Sequence, residues 1–352
     1  MRVALVASLV SPIRTAEANG PHSVIVDLAR GLADRGHQVE VYAAAGSVVD
    51  GVRVIEIEVE PEVGLANIRP DGSTTRAGGK ALGRGFGRLY AELRRRDPEI
   101  VSQHAFDAPA IELARGLPVV HTLHLPPAHM DVVRSARRSS ALFVAVSESS
   151  AHSWRVAGVR GIHVIRNGVP DGPVVEAPPL AIALIAGRVS REKGTHIGVR
   201  VARRAGLEPR VVGDIYDADY FASNVAPLLE SGQTIEPLAR GELARLMARS
   251  RVLIMPIRWE EPFGLVAAEA QMSGCPVVGF RRGALPEIVI EGIGGYLVEP
   301  EDEDGLVGAV RRTSGLDRSA IRANAIATLG VERMVDDYER LLGRVANGAV
   351  AA

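Results

Sequence analysis

The sequence lacks several features that would each point to a particular class of protein. Its 352 residues include a single cysteine, Cys275, which excludes an internal disulfide. The formal net charge is −1, so the overall charge gives no reason to expect nucleic acid as a partner. No apolar run approaches the ~20 residues of a membrane-spanning helix, and the opening residues MRVALVASLV are typical of a strand rather than a signal peptide. We therefore expect a cytoplasmic protein of ordinary globular composition, long enough for two domains.

Lysine is also scarce, because Lys80 and Lys193 are the only two lysines and arginine supplies nearly all other positive charge. Lys193 lies in the segment AGRVSREKGTH, together with Arg188, directly after a strand-like run. An arginine fork and a compact ammonium can together hold two phosphates. The alternative is a solvated loop whose cations pair with Glu192.

Strand-like and helix-like segments alternate along the chain. The first half begins with RVALVASLV, SVIVDLARGLADRG and HQVEVYAAA, which is the strand, helix, strand unit of a parallel sheet. The proline-rich stretch VPDGPVVEAPPL then separates this half from a second series that restarts at AIALIAGRV. The pattern predicts an α/β fold with two Rossmann-like parallel-sheet domains that face each other across a cleft.

The proline-rich break also sets the predicted domain boundaries. An N-terminal domain would cover residues 1–172 and a C-terminal domain residues 173–332. The segment VERMVDDYERLLGRVANG predicts an amphipathic helix, and the residues after the C-terminal domain, 333–352, are assigned to it. The glycine-rich stretch from Glu60 to Gly87 has no clear period and is predicted to be a mobile loop.

The segment RWEEPFGLVAAEAQMSG indicates a strand-to-helix turn that can bind an anion. A buried strand, RVLIMPI, precedes it, and a helix is predicted to start near Phe263 or Gly264 and to end at Gly274. The free amides of Gly264, Leu265 and Val266 would then point into the cleft. Such a helix start favours anions, phosphate among them.

Two carboxylates flank this turn. Glu269 falls among apolar residues in the second helical turn, so it needs a partner, which sugar hydroxyls could provide. Glu269 could instead interact with the helix N-terminus or cap a neighbouring loop, and Glu261 could be an ordinary turn residue. The residues alone leave both interpretations open.

Together these segments resemble the retaining glycosyltransferases of family 4, which have the GT-B fold. The resemblance covers nearly the whole chain and rests on GRVSREKG, RRGALPEIV, GGYLVEP, IRNGVP, VAVSES and EEPFGLVAAEA, whose Glu261 and Glu269 have seven residues between them. The chain looks nearest to the branch that includes the avilamycin-pathway glycosyltransferase, through VARRAGLEPRVVGDIYDADYF and PIRWEEPFGLVAAEA.

The resemblance implies a role for each matching position in the C-terminal domain. Glu261 would contact the hydroxyls of the donor sugar, and Glu269 would hold the nucleotide ribose. Arg188 and Lys193 would hold the diphosphate. The amides of Gly264 to Val266 would face the distal phosphate, and Phe263 would also belong to the donor-binding residues.

On the N-terminal domain, VVHTLHLPP matches the family's Thr-x-His pattern, which implies that His124 lies near the reacting sugar. The expected catalytic residues are therefore His124, Arg188, Lys193 and Glu261. Gly20 is expected on the acceptor side, although the family often has a paired glycine where this chain has Gly20 followed by proline.

Two further features of the N-terminal domain are compared with the family. The family's His-x-His is reduced in PEIVSQH to His104, to which we assign a mainly structural role. The C-terminal helix of such folds crosses back onto the first domain, so Met334 to Leu342 would pack there.

The resemblance implies retaining transfer of a sugar from a nucleoside-diphosphate sugar, UDP or GDP being preferred, to a hydroxyl acceptor such as a natural product or other small molecule. No cofactor and no metal are expected. His121, His124 and His129 lack the ligand spacing of a zinc site, and the DAD motif at Asp217–Asp219 is interpreted as a surface loop.

Other functions stay open at this stage. A nucleotide-sugar epimerase or a sugar phosphorylase could have the same fold, and a non-catalytic protein could hold a nucleotide sugar without turnover. A lipid-acceptor transferase could dock on an anionic membrane through the basic segment 78–99. Membrane contact is not the favoured interpretation, because the arginines of this segment also suit a solvated helix face.

Overall fold

The computed structural model describes residues 1–15, 20–66, 75–230 and 235–349 of the chain. These residues form two compact units. Unit 1 comprises Met1–Asn167 with the segment from Val331 onward, and unit 2 comprises Gly168–Gly330. Each unit is built on one parallel sheet with helices packed against it, as the alternating sequence pattern predicts.

In the described residues of unit 1, seven parallel strands form one sheet in the order β3-β2-β1-β4-β5-β6-β7. The strands are β1 Arg2–Val6, β2 Gln38–Ala44, β3 Arg53–Ile57, β4 Ile100–Gln103, β5 Val119–Leu123, β6 Leu142–Ala145 and β7 Ile162–Val164. The helices are α1 Pro21–Asp34, α2 Arg76–Arg96, α3 Ala108–Glu112, α4 Met130–Arg138, α5 Glu148–Val156 and, after unit 2, α13 Val331–Ala346. The central strands are buried on both faces, which explains their nearly continuous apolar runs.

Within the described part of unit 2, five parallel strands form the sheet in the order β12-β11-β10-β8-β9. The strands are β8 Ile182–Ala186, β9 Glu208–Val212, β10 Val252–Met255, β11 Val277–Phe280 and β12 Gly295–Val298. The helices are α6 Thr195–Arg204, α7 Ala218–Tyr220, α8 Arg240–Arg249, α9 Leu265–Met272, α10 Leu285–Ile288, α11 Glu303–Arg312 and α12 Arg318–Leu329. Short 3-10 turns cover Arg191–Lys193, Ala226–Leu228 and Thr313–Gly315, and a π-helical turn covers Phe221–Val225.

A helix occupies much of the stretch Glu60–Gly87, so the predicted mobile loop is wrong there. A 3-10 helix spans Pro61–Ala66 and α2 starts at Arg76, while residues 67–74 lie outside the described residues. At Gly78 the missing side chain permits close packing, since a Cβ there would come within 2.5 Å of the backbone of the 3-10 helix.

Arginines of α2 are engaged within unit 1. Arg84 and Arg88 pair with Glu60, and Arg95 pairs with Glu92. These pairs reduce the positive charge that the segment could offer to an anionic membrane. In the described ranges, no helix is long and apolar enough to cross a membrane.

The last described helix, α13, completes the core of unit 1. Its residue Val335 packs so closely on α1 that a Cβ on Gly31 would lie 2.5 Å from a Val335 methyl carbon. Tyr338 is fully buried, and its hydroxyl lies 3.0 Å from the Thr122 hydroxyl of β5. The Arg35 guanidinium at the end of α1 pairs with Glu339 at 2.8 Å. The helix is therefore attached by packing, a buried hydrogen bond and an ion pair.

Candidate active site

Two loops of unit 2 leave neighbouring strands at the same edge of the sheet. β8 and β10 run parallel and are paired, and their loops carry Lys193 and Glu261. Because the carboxyl ends of parallel strands meet at one edge, residues far apart in the sequence are brought together there.

Close backbone packing holds the Lys193 loop against the loop that follows β10. Gly194 has φ 66°, and a Cβ there would lie 2.2 Å from the Pro256 carbonyl oxygen, so only glycine fits. The Arg258 amide also donates to the Glu192 carbonyl at 2.7 Å. The direction in which Lys193 leaves the backbone is therefore fixed by both loops.

Lys193, Glu261 and Trp259 form one compact cluster. The Lys193 ammonium donates to Glu261 Oε2 at 2.5 Å, and the Trp259 indole N–H donates to the same oxygen at 2.7 Å. The ammonium also lies 5.1 Å from the centre of the Trp259 ring, within cation–π range. Among the described residues no donor contacts Glu261 Oε1, which leaves that oxygen for a ligand hydroxyl.

The turn after Glu261 leads into α9 as the sequence predicts. Gly264 has φ 91° and precedes the helix, and a Cβ there would lie 3.3 Å from the side chains of Leu285 and Ile288. Phe263 is buried, whereas Leu265 and Val266 are partly exposed. The first amides of a helix have no acceptor within it, so this helix start can receive an anion beside Glu261.

Glu269, on α9, has a partner that sequence reasoning missed. Its Oε1 accepts a hydrogen bond from Arg240 Nε at 3.1 Å, and both side chains are largely buried. Arg240 is the first residue of α8, and nothing in its local sequence marked it. The expectation that Glu269 is partly buried is confirmed, and Arg240 is a protein partner of its carboxylate.

Glu269 and Arg240 line a cavity of about 340 Å³ within unit 2. The residues around it include Pro170, Pro173, Leu243, Arg245, Met247 and Ser273. Small-molecule sites have volumes of roughly 300 to 1,000 Å³, so the cavity can receive a group of the size of a nucleoside.

Arg188 is exposed and belongs to the same loop as Lys193. Its guanidinium is 3.4 Å from the Glu192 carboxylate and lies over the ring of Tyr216, 4.7 Å from the ring centre. The pairing with Glu192 that the sequence left open is therefore present. An exposed pair of this length contributes little free energy, so a diphosphate can compete for the guanidinium.

On unit 1, His124 belongs to a buried histidine pair at the carboxyl edge of the sheet. Its Nε2 lies 2.9 Å from Nδ1 of His104, whose Nε2 lies 2.9 Å from the Ser102 hydroxyl. Burial, with a smaller effect of His22, lowers the pKa of His124 to about 3, and burial also lowers the pKa of His104 well below its usual value. Both rings are neutral at pH 7, and His104 orients the ring of His124.

Two more features lie near this edge of unit 1. Gly20, with φ 50°, precedes α1, and the four residues before it lie outside the described ranges. Asp107, which the sequence did not single out, follows β4, and burial raises the pKa of its carboxyl group to about 6 while Ser8 donates to it at 3.4 Å. Shifts of this kind are common at functional sites.

Potential metal ligands are dispersed in the parts of the chain that the structure describes, where no group of three or more His, Cys, Asp or Glu side chains could hold a metal ion. In the DAD motif, the Asp217 carboxylate accepts the Tyr220 amide at 2.9 Å as the N-cap of α7. That aspartate therefore has a structural partner.

Comparison with known proteins gives matches to both halves of the chain. Residues 18–172 match the family described as Glycosyltransferase Family 4, and residues 181–314 match that described as Glycosyl transferases group 1. Glycogen synthase of Mycobacterium tuberculosis is 30% identical over 363 residues, covering 93% of this chain and 86% of that protein. D-inositol 3-phosphate glycosyltransferase of Corynebacterium diphtheriae is 27% identical, covering 86% of this chain and 84% of that protein.

Solved structures share the fold over almost the whole length of the chain. Sucrose-phosphate synthase from Thermosynechococcus elongatus superposes with a TM-score of 0.77 at 18% identity, covering 99% of this chain and 100% of that one. HepE of Anabaena in complex with UDP and glucose gives 0.75 at 19% identity, with 97% and 100% covered. A glycosyltransferase involved in avilamycin A biosynthesis gives 0.71 at 21% identity, with 98% of both chains covered. These matches confirm the predicted GT-B class, with its two Rossmann-like domains, and leave the choice of branch as a prediction.

Proposed function

Because the chain belongs to the glycosyltransferases that join a Family 4 domain to a group 1 glycosyl transferase domain, we propose that it moves a sugar from a nucleoside-diphosphate sugar to a hydroxyl acceptor, with retention of the anomeric configuration. The observation that carries the proposal is the Lys193–Glu261 pair beside the start of α9. It places a cation, a carboxylate oxygen open to a ligand and helix amides in one small region.

The chemistry of the reaction matches these groups. Cleavage of the bond between the anomeric carbon and the diphosphate leaves positive character on the sugar and negative charge on the phosphates. Lys193, Arg188 and the amides of Gly264 to Val266 would stabilise the departing charge electrostatically. Glu261 would accept hydrogen bonds from hydroxyls of the donor sugar through Oε1.

The nucleoside would occupy the cavity of unit 2, with its ribose hydroxyls on Glu269. Arg240 already engages Oε1 of this carboxylate, so the pair would hold the ribose together. We propose UDP or GDP as the nucleotide. UDP comes first because the similar HepE structures contain UDP or UDP-glucose.

For the acceptor side we propose that His124 acts as a neutral hydrogen-bonding group toward the reacting sugar. Burial lowers its pKa to about 3, so the ring would be neutral at pH 7. Gly20 would lie near an acceptor that is a small molecule, such as a natural product. The leaving phosphate would help to deprotonate the acceptor hydroxyl, and the residues assigned here need no metal or other cofactor.

Thermal unfolding with UDP, GDP, ADP and dTDP tests the donor site. A ligand at 100 times its dissociation constant adds about 2.7 kcal/mol to the free energy of unfolding. We expect one nucleotide to raise the melting temperature of the wild type and of Lys80→Ala, and not that of Lys193→Ala. No rise with any nucleotide at millimolar concentration contradicts the donor-site assignment.

The preferred nucleotide then defines the transfer assay. Release of nucleoside diphosphate that depends on a hydroxyl acceptor separates a transferase from an epimerase and from a non-catalytic binder. Dependence on inorganic phosphate would instead identify a phosphorylase. The anomeric configuration of the product, measured by NMR coupling constants, tests retention.

A further inference from the structure

A second cavity, of about 450 Å³, opens at the amino-terminal edge of the sheet in unit 1. It lies where β5 and β6 begin, beside the ends of α3 and α4. His104 and His124 lie at the opposite, carboxyl edge, and the residues of β5 alone span roughly 13 Å between the two edges. The cavity is therefore distinct from the residues assigned to sugar transfer.

One buried polar side chain of this cavity has no protein partner. His121 is 1% exposed and lines the cavity, and neither of its ring nitrogens has a hydrogen-bond partner in the described part of the chain. Stacking on Phe143, with ring centres 5.4 Å apart, fixes the plane of its ring. A buried polar group without a hydrogen bond is costly, so a histidine here requires an explanation that an apolar residue would not.

The charged side chains that line the cavity are all positive. Arg115 and Arg138 belong to the lining, both are exposed, and no carboxylate belongs to it. Neither guanidinium pairs with a carboxylate in the described ranges. Two arginines can bind an oxyanion through charge-assisted hydrogen bonds.

Part of the charge of Arg138 has a structural use, because it lies in the last turn of α4, where a cation interacts favourably with the helix dipole. That use does not extend to Arg115, which follows α3 in a turn. The dipole of α4 therefore does not explain both arginines.

Much of the remaining wall is apolar, and Ser139 and Ser140 also belong to it. The aliphatic part includes Ile111, Ala114, Leu117, Leu142 and Val345. A ligand that fits this lining needs an anionic group, an apolar body and a polar atom that can donate to or accept from an imidazole.

We propose that this cavity binds a small organic anion. Its carboxylate or phosphate group pairs with Arg115 and Arg138, its body contacts the aliphatic wall, and a polar atom hydrogen-bonds to the ring of His121. Burial lowers the pKa of His121 to about 3, so the ring is neutral at pH 7 and offers one N–H donor and one nitrogen acceptor.

Phenyl phosphate is a suitable probe, and phenol is its uncharged counterpart. The full-length protein, labelled with ¹³C in its histidine rings, is titrated with each, and the signal of His121 is assigned by its loss in His121→Phe. We expect a saturable shift of that signal with phenyl phosphate and at least about tenfold weaker binding of phenol, since the charged contacts contribute most of the affinity.

Surface variants locate the anion. In Arg115→Gln/Arg138→Gln the dissociation constant of phenyl phosphate should rise at least about tenfold. Arg137→Gln is the matched control, because Arg137 is the neighbouring exposed arginine and does not line the cavity, and its dissociation constant should stay unchanged. Lys193→Ala should also leave it unchanged, which separates this site from the proposed diphosphate site.

Three results would overturn the proposal. The His121 signal could fail to shift at millimolar phenyl phosphate, which would mean that water alone fills the cavity. The double arginine variant could bind as tightly as the wild type. The shift could also disappear in Lys193→Ala, which would place the anion at the other site.

Discussion

The Lys193 ammonium and the Glu261 carboxylate, 68 positions apart in the chain, lie 2.5 Å apart across two loops of unit 2. Each side chain is mostly buried, with relative exposures of 21% and 11%. At such a site each charge depends on the other, because an unpaired charge would be poorly solvated. The pair therefore has consequences for stability as well as for donor binding.

We expect the stability effects of Lys193→Ala and Glu261→Gln to be non-additive. Each single variant should lower the free energy of unfolding by about 1 to 3 kcal/mol, and the double variant by less than the sum, since the second change removes a group that has already lost its partner. Urea unfolding measures all three. Lys80→Ala, which changes the other lysine, on the exposed face of α2, should have almost no effect, and strict additivity would contradict the coupling.

Trp259→Phe separates the contact with the carboxylate from that with the cation. Phenylalanine keeps a ring beside Lys193 but loses the N–H that holds Glu261 at 2.7 Å. Because Glu261 is proposed to contact the sugar and not the phosphates, affinity for the nucleotide sugar should fall about tenfold, a loss of about 1.4 kcal/mol, while affinity for the nucleoside diphosphate stays nearly constant.

Isothermal titration with both ligands gives the comparison. Trp259→Ala should weaken binding of both, since it removes the cation–π contact as well. Equal losses for the two ligands in Trp259→Phe would disprove the assigned role of Glu261.

Glu269→Ala tests the ribose assignment with a chemical control. If Glu269 holds the ribose hydroxyls, the variant should bind UDP at least about tenfold more weakly than the wild type does. With 2′,3′-dideoxyuridine diphosphate, which lacks those hydroxyls, variant and wild type should bind equally. The loss of affinity would be of the same size for both ligands if Glu269 acted only through its pair with Arg240.

Because histidines of unit 1 are buried, we expect acid to destabilise the folded chain. The pKa of His121 is about 3 in the folded chain and 6.5 in its usual state, so the unfolded chain binds the extra proton between these values. The contribution of His121 to the free energy of unfolding is therefore fully present above pH 6.5. It is lost progressively as the pH decreases toward 3. Asp107, whose pKa is raised to about 6, acts in the opposite direction between its usual value and that pH.

His121→Phe isolates one part of this effect. Near pH 5 it should reduce the slope of unfolding free energy against pH by about 1.4 kcal/mol per pH unit, the value for one proton. Urea unfolding at several values from about pH 4.5 to about pH 7.5, a range that brackets the usual histidine pKa of 6.5, provides the measurement. An unchanged slope would show that His121 is protonated in the folded chain.

Local sequence patterns were sufficient to predict the parallel sheets and the start of α9. Apolar strand runs and a glycine before a helix are signals that a short stretch of sequence contains. The partner of Glu269 was not predictable, since Arg240 is 29 positions away and reaches it only through the packing of α8 on α9. The prediction of a mobile loop from Glu60 to Gly87 was wrong for a related reason. Its glycines were interpreted by propensity, whereas their role at Gly78 is close contact with a neighbouring segment.

The histidines of unit 1 also have contacts that the local sequence does not predict. The sequence placed His124 at a strand end but could not show that His104 holds its ring, because that contact joins two different strands. Nor could it show that His121 would be buried without a protein partner. Burial of a polar group is a property of the whole packed unit, and its cost appears only when every neighbouring donor and acceptor is known.

The return of α13 to unit 1 has a consequence for synthesis on the ribosome. Unit 2 precedes α13 in the chain, so when unit 2 has emerged, unit 1 still lacks Val335 against Gly31 and Tyr338 against Thr122. The core of unit 1 is therefore closed after unit 2 has been translated, although its strands are made first. During that interval the surface of α1 around Gly31 lacks the helix that covers it in the folded chain.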